Sequence, residues 1–459
     1  FFKIFFLVLL ILAVLAAARI YIAGMVYYKD KFFRNTTING IDVSDRTVDD
    51  VEDQIAHQIG AYQITVSERG GITETITATQ IGYHYVSKGE VQAFQKSQKL
   101  YEWPLHLKKP VSYTFESSAQ YDNEKMEAVL DAMACFQEEN IVRPQDAYID
   151  LVDGSYMVLA EIEGNLLKKD DVKRLIREAI DFTNTSIDLE EKNCYEIPAK
   201  RQNDEGMAKT VSRLNTCIST DLTYLFGAES VKVDAEVIRP WLTYDELGNV
   251  FLDADAVTGF VNDMADRFDS ADRPREFRTQ TGTTVTVEGG EYGWLMDRET
   301  TRDYLVDAIW GGNTGETYAI FLQTAMSWYN SDLGDDYVEV DLGGQHVWLH
   351  IGGEVVVSTD CVSGLASDPA RRTPSGTYTL YYKESPSVLK GENNEYETKV
   401  TYWMPFNGGI GLHDASWRSA FGGGIYQSDG SHGCINLPSA KAKEIYEYVY
   451  DGIPVICYY

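Results

Sequence analysis

The sequence predicts an α+β multidomain chain with an N-terminal transmembrane helix, duplicated α+β modules and a β-rich C-terminal domain. Three observations predict it. Residues 1–28 are almost continuously apolar, blocks of helix and strand pattern recur between Arg143 and Ile309, and from Tyr337 short β-prone runs alternate with glycine pairs. A chain of 459 residues exceeds one ordinary hydrophobic core, so several domains are expected.

The apolar run Ile4–Ala18 is interrupted by Arg19 and resumes through Tyr28. A helix through both parts crosses a hydrocarbon core about 30 Å thick, with Arg19 snorkelling and the tyrosines at an interface. The small residues Ala16, Ala17 and Ala18 also suit a cleaved signal peptide. Because apolar residues continue past Arg19, an uncleaved anchor over residues 1–28 is the preferred reading. Lys3 precedes the segment and Lys29, Lys31 and Arg34 follow it, so flanking charge does not orient it. A large domain behind one early apolar segment is expected to be exported.

Next, Thr47 is placed to cap a helix from Val48 to Ile59, whose early Asp49 and Asp50 suit the helix dipole. Tyr62–Val66 and Glu74–Ile81 alternate as strands do. A repeat follows. Arg143-Pro144, a strand, the Asp153-Gly154 turn, a strand, Gly164 and a helix ending at Ile180 form one unit. Arg273-Pro274, a strand, the Gly289-Gly290 turn, a strand, Gly293 and a helix ending at Ile309 form the other. Gly164 and Gly293, Leu166 and Leu295, and Ala179 and Ala308 share an offset of 129, and helical stretches (Asn123–Phe136, Ala254–Phe268) precede each Arg-Pro. Several matches at one offset indicate duplication. Residues 29–200 and 201–332 are the two modules, and 333–459 the last domain.

That domain opens with strands at Tyr337–Asp341, Val347–His350 and Val355–Ser358. The polar stretch Ser327–Asp336 is its joint to the second module. A helix over Ser439–Tyr450, stopped by Gly452 and Pro454, precedes a final strand at Val455–Cys457.

The formal charge of −30 and the lack of a basic stripe exclude nucleic acid as a partner. The six cysteines include no CxxC pair and no zinc-type spacing. Five of them read as small buried apolar residues. Cys361 and Cys457 fall in expected strands of one domain and are candidates to be neighbours.

Cys434 differs by its surroundings, Gly411-Leu412-His413-Asp414 and Ser431-His432-Gly433-Cys434-Ile435-Asn436. A thiol attacks as its thiolate and needs a nearby base, which histidine supplies near neutrality. The base needs an acceptor on its second nitrogen, and main-chain carbonyls around Asp414 are available. Gly433 permits a tight turn whose N–H groups can face a tetrahedral oxygen. A metal held by His413, His432 and Cys434 is disfavoured, because no fourth ligand is evident.

A histidine, 17 residues, then Ser-His-Gly-Cys-Ile-Asn is similar to the signature of the L,D-transpeptidase (YkuD-like) catalytic domain. Further matches are Tyr337–Asp341 with Gln345, Thr373-Pro374-Ser375-Gly376, Trp417-Arg418 and Phe421-Gly422-Gly423. Upstream, Thr37–Ser44 and Gly290-Glu291-Tyr292-Gly293-Trp294 resemble the peptidoglycan-binding modules that precede such domains. The resemblance implies Cys434 as nucleophile, His413 as base, Asp414 acting through its main chain, and Gly433 and Cys434 as oxyanion donors. His432 would support the loop and help position thiol or substrate. Arg418 would bind a stem-peptide carboxylate, with Ser431, Asn436, Tyr402 and Trp403 around the substrate. It further implies acyl transfer between peptidoglycan stems into 3→3 cross-links, without metal or organic cofactor, and acylation by carbapenem-type lactams. Its partners would be stem peptides, glycan and, through the first helix, the membrane. Hydrolysis by the same site, or transfer of stems to a wall protein, differs only in the acceptor. A non-catalytic scaffold would lack the nucleophile or base. A papain-like protease is disfavoured by the position of the cysteine after its histidine.

Overall fold

The computed structural model describes residues 1–115, 119–391 and 397–459. Helix α1 (Phe2–Tyr27) has a mean hydropathy of 2.7 and no buried residue, and is long and apolar enough to cross a membrane. The chain falls into two compact units, the first of which includes α1. One comprises Phe1–Tyr148 and Val158–Asp204; the other comprises Ile149–Met157 and Glu205–Tyr459.

In the first unit, Thr47 caps α2 (Val48–Gly60) in a reciprocal capping box with Asp50. Strands β1 (Gln63–Ser67) and β2 (Thr73–Thr77) pair antiparallel. The strand expected to run to Ile81 stops at Thr77. There the Thr77 side chain accepts from the Gln80 amide, Gln80 reaches back to the Thr77 amide, and Ala78–Ile81 turns helical before left-handed Gly82. Likewise the expected helix over Asn123–Phe136 is α3 (Asn123–Asp131) followed by a 3₁₀ turn, Ala134–Phe136. Helix α4 (Lys169–Asp181) leads to β3 (Ser186–Asp188), which lies parallel to β1. Ile64, Val66, Ile76, Met126, Val172 and Ile176 share the core beneath this sheet.

The second unit repeats this plan. Helix α5 (Glu205–Ile218) and the hairpin β4 (Asp221–Phe226) and β5 (Glu229–Val233) come first. Helices α6 (Ala254–Phe268) and α7 (Arg298–Gly311) follow, then β6 (Thr314–Thr317), parallel to β4. The duplication therefore includes the first helix and hairpin of each copy. The segment between Ile81 and Asn123 is much longer than that between Ile238 and Ala254, so one offset aligns only the later half of each repeat.

The last domain carries β7 (Tyr337–Asp341), β8 (His346–Ile351), β9 (Glu354–Asp360), β10 (Gly376–Thr379), β11 (Trp403–Asn407), β12 (Ile410–Asp414), β13 (Ile435–Leu437), α8 (Ser439–Tyr448) and β14 (Pro454–Tyr458). Five strands form one sheet in the order β9-β8-β7-β14-β10, and three form another in the order β11-β12-β13. Between them lie Val338, Leu349, Tyr378, Phe406, Leu412, Ile435 and Ile445. Cys361 and Cys457 share this core as free thiols.

Within this unit the second module is packed onto the last domain. Phe277, Val287 and Tyr292 share a cluster with Tyr337, Ile456 and Tyr458. The Thr377 amide donates to Gly289 O (2.9 Å), and the Tyr292 amide donates to Thr377 O (3.1 Å), covering the β10 edge. A side chain at Gly290, whose φ is +82°, would not fit, since its Cβ would lie 2.0 Å from Thr377 O. The polar joint is itself packed: Trp294 stacks on Trp328 at 3.9 Å and donates to Ser327 O, while Leu333 is fully buried.

Candidate active site

Parallel pairing of β12 with β13 sets Leu412 opposite Ile435 and His413 opposite Asn436, so Gly411 comes beside Cys434. Residues two apart on a strand share a face, and His413, Cys434 and Asn436 accordingly line one cleft of about 320 Å³. A Cβ on Gly411 would lie 2.6 Å from Met404 O and 2.8 Å from the Trp403 ring, so this position beside the thiol has no room for a side chain.

His413 is 4% exposed, and its Nδ1 lies 2.9 Å from the main-chain oxygen of Asp414. A carbonyl only accepts, so Nδ1 carries the proton and Nε2 keeps its lone pair. Burial lowers the imidazole pKa, and the Arg418 charge adds to the effect, leaving the ring neutral at neutral pH. The Asp414 carboxylate is engaged elsewhere, accepting from the Thr401 and Tyr402 amides at 2.7 and 2.8 Å. Cys434 is 8% exposed, and burial pushes its thiol up to about 11, opposed by a hydrogen bond from the Gly411 backbone. The pair therefore rests as thiol and neutral imidazole rather than as an ion pair.

The loop before Cys434 is braced from within. Ser431 Oγ donates to Cys434 O (2.6 Å) and accepts from the Gly433 amide (3.0 Å). Two groups expected at the substrate and the oxyanion, the Ser431 hydroxyl and the Gly433 amide, are thus hydrogen-bonded to each other in the resting loop. A serine two residues before an amide competes well for it, which is the physical reason. Thr373, absent from the expected site, is fully buried; its Oγ1 donates to Gly433 O (2.6 Å) and accepts from the Gly364 amide (2.9 Å). Asn436 is 2% exposed, exchanges main-chain hydrogen bonds with Val362, and keeps Oδ1 buried without a partner among the described residues.

Strand alternation separates the two expected aromatics. Trp403 packs beside Cys434 with Val400 and Leu389. Tyr402 faces the other way, against Tyr446 at 5.2 Å, and neither ring is among the residues that line the cleft. His432 is exposed at the rim, beside Trp417, Arg418 and Arg371. Arg418 is held by Asp429 at 3.0 Å, and Arg371, which the sequence reading missed, donates to Gly430 O at 3.0 Å. No sequence signal marked Arg371, because it enters the cleft from a distant loop.

One other group of the described residues has metal-ligand chemistry, with Glu68, Glu74 and Cys135 atoms within 4.8 Å of one another. Glu74 accepts from the Ala134 and Cys135 amides at 2.9 and 3.0 Å, while burial and the Glu74 carboxylate raise Glu68 to about 7. Burial and the neighbouring carboxylate thus favour the protonated form of Glu68.

Residues 335–457 match the L,D-transpeptidase catalytic domain, and residues 74–187 and 203–317 match a domain family named for peptidoglycan binding. A crystal structure of the Enterococcus faecium L,D-transpeptidase, carrying a cysteine-to-serine substitution, is 32% identical over 55% of this chain and 100% of that one, with a TM-score of 0.48. The chain belongs to the L,D-transpeptidase family. L,D-transpeptidase 2 of Mycobacterium tuberculosis is 26% identical over 221 residues, covering 43% of this chain and 52% of that protein. This family member thus spans about half the length of that curated relative. The catalytic domain of the E. faecium L,D-transpeptidase, solved acylated by ertapenem, is 41% identical over 27% of this chain and 97% of that domain, with a TM-score of 0.25. Two matched modules before one catalytic domain agree with the duplicated topology described above.

Proposed function

We propose that this family member forms 3→3 cross-links in peptidoglycan through an acyl-enzyme on Cys434. The observation that carries the reading is the meeting of Cys434 and His413 in one cleft, with the imidazole oriented through Nδ1 and its Nε2 unprotonated. In the first step His413 Nε2 takes the thiol proton as sulfur attacks the carbonyl of the third residue in a donor tetrapeptide. The C–N bond breaks, the proton passes to the departing nitrogen, and D-alanine leaves. In the second step the side-chain amine of another stem's third residue attacks the thioester, gives a proton to His413, and returns the thiol. The orienting acceptor is the Asp414 carbonyl. Asn436 Oδ1, buried and unpartnered, is an acceptor for a stem amide.

The chain would act outside the membrane, held by α1, with the two modules toward the wall. The E. faecium catalytic domain was solved acylated by ertapenem, and lactam acylation is expected at Cys434 here. The test is incubation of the protein with disaccharide-tetrapeptide stems, followed by mass spectrometry. Loss of D-alanine with dimer formation is expected. Tripeptide alone would instead indicate hydrolysis, and untouched tetrapeptide would contradict the reading.

A further inference from the structure

We infer that residues 95–109 form a strap on the membrane surface, seating Tyr101, Leu105 and Leu107 at the acyl boundary and the lysines around them on anionic phospholipid headgroups. The inference rests on the reading of α1 as a membrane anchor and adds to it a second, separate contact with the bilayer.

The strap is stapled to the chain where it leaves α1. The Trp103 indole donates to Tyr21 O (3.0 Å), the Tyr21 hydroxyl donates to Tyr101 O (2.9 Å), and a Cβ on Gly24 would overlap the Trp103 ring. Gln95 and Gln98 donate their side-chain amides to Lys29 O and Lys31 O at 2.8 and 2.9 Å. Asn35 donates to His106 O and Leu107 O, both at 3.1 Å, and the His106 ring stacks on Phe33 at 4.9 Å. Arg19 carries its charge to the edge of the hydrocarbon, so Tyr21 and Gly24, just beyond it on α1, lie at headgroup level. The segment fixed to them lies there too.

The side chains left open suit that place. Tyr101, Leu105 and Leu107 are 57, 61 and 43% exposed, three large apolar groups within one short segment. Water solvates such a group of side chains poorly, and tyrosine with tryptophan is the amphipathic ring chemistry that membrane interfaces favour. In a chain of formal charge −30, residues 96–109 carry four lysines and one carboxylate, Glu102. Lys96, Lys99, Lys108 and Lys109 are all exposed. Glu102 lies 3.8 Å from Lys99, while Lys108 and Lys109 have no ion-pair partner among the described residues. The two glutamine staples bring Lys29 and Lys31 beside this group. An apolar patch among lysines, held at the end of a membrane helix, is complementary to an anionic lipid surface. The first unit is thereby pinned to the membrane at two points and cannot swing freely about the end of α1.

The experiment uses the full chain in vesicles of phosphatidylcholine and phosphatidylglycerol. Nitroxide labels are placed on Leu105→Cys or Ile11→Cys in a Cys434→Ala background, the other five cysteines being buried. Oxygen concentrates in hydrocarbon and a nickel chelate stays in water, so their relative effects on label relaxation report depth. Both labels should favour oxygen. A Leu105 label open to nickel while the Ile11 label favours oxygen would overturn the strap alone. Shielding of the Leu105 label from both reagents would mean that protein covers it, and would overturn the strap as well. An Ile11 label open to nickel would contradict the anchor reading, and the strap with it. Headgroup choice is read separately, from the motional restriction of spin-labelled phosphatidylglycerol and phosphatidylcholine. Wild type should restrict the anionic lipid preferentially, and the double variant Lys108→Gln, Lys109→Gln should lose about fivefold or more of that preference. An unchanged preference in that variant would overturn the headgroup contact.

Discussion

Cys434 and the pair Cys361 and Cys457 lie in one domain, and burial raises the pKa of all three thiols. Their surroundings separate them. Cys361 and Cys457 are fully buried in the core between the two sheets, among aliphatic and aromatic side chains. Cys434 ends a braced loop at a cleft, on the same face as a neutral imidazole. The contrast teaches that burial by itself makes a thiol inert, and that a base and an opening turn it into a candidate nucleophile.

The largest effect that could break this contrast is at the thiol. Cys434→Ala is expected to abolish both D-alanine release and lactam adducts, whereas Cys361→Ala should keep both and cost roughly 1–2 kcal/mol of stability by leaving a small cavity, read by denaturant unfolding. Next, His413→Gln should slow acylation by about 10²–10⁴-fold with the fold retained, as stopped-flow lactam acylation would show. The same base fixes a pH profile. A protonated imidazole cannot take the thiol proton, and His413 titrates below its ordinary value, so kcat/KM should fall only as pH drops below about 6.5. An acid limb centred above that value would place the wrong base beside the thiol. A smaller effect is expected at the brace. Thr373→Val leaves Gly433 O and the Gly364 amide without their shared hydroxyl, and should cost about 1–3 kcal/mol of stability with a modest loss of acylation rate.

Much of this contrast was legible in the sequence. The spacing from His413 to Cys434 is a local pattern, and the parallel pairing of β12 with β13 brings its two ends together. The helix over Ala254–Phe268 matched its periodicity because Asp253 caps it and Phe268 ends it. The sequence reading of Glu74–Ile81 failed because alternation cannot distinguish a strand from a strand that ends in a capping box at Thr77. Tyr402 and Trp403 are neighbours in sequence but pack in different directions, so sequence position alone does not tell which of them comes beside the thiol. Ser431 and Gly433 were read as substrate and oxyanion groups, yet their hydrogen bond to each other depends on the loop's three-dimensional path. Thr373 and Arg371 reach the site from a loop some sixty residues before the cysteine, which no local spacing reveals.

The central claim is that Cys434 alone among the six cysteines becomes acylated, and peptide mapping of the full chain after reaction with a carbapenem-type lactam or a tetrapeptide stem tests it most directly. The account predicts a single adduct, on the peptide bearing Cys434, lost in Cys434→Ala. An adduct on Cys361, Cys457 or any other cysteine, or an unmodified Cys434 in folded protein, would contradict it.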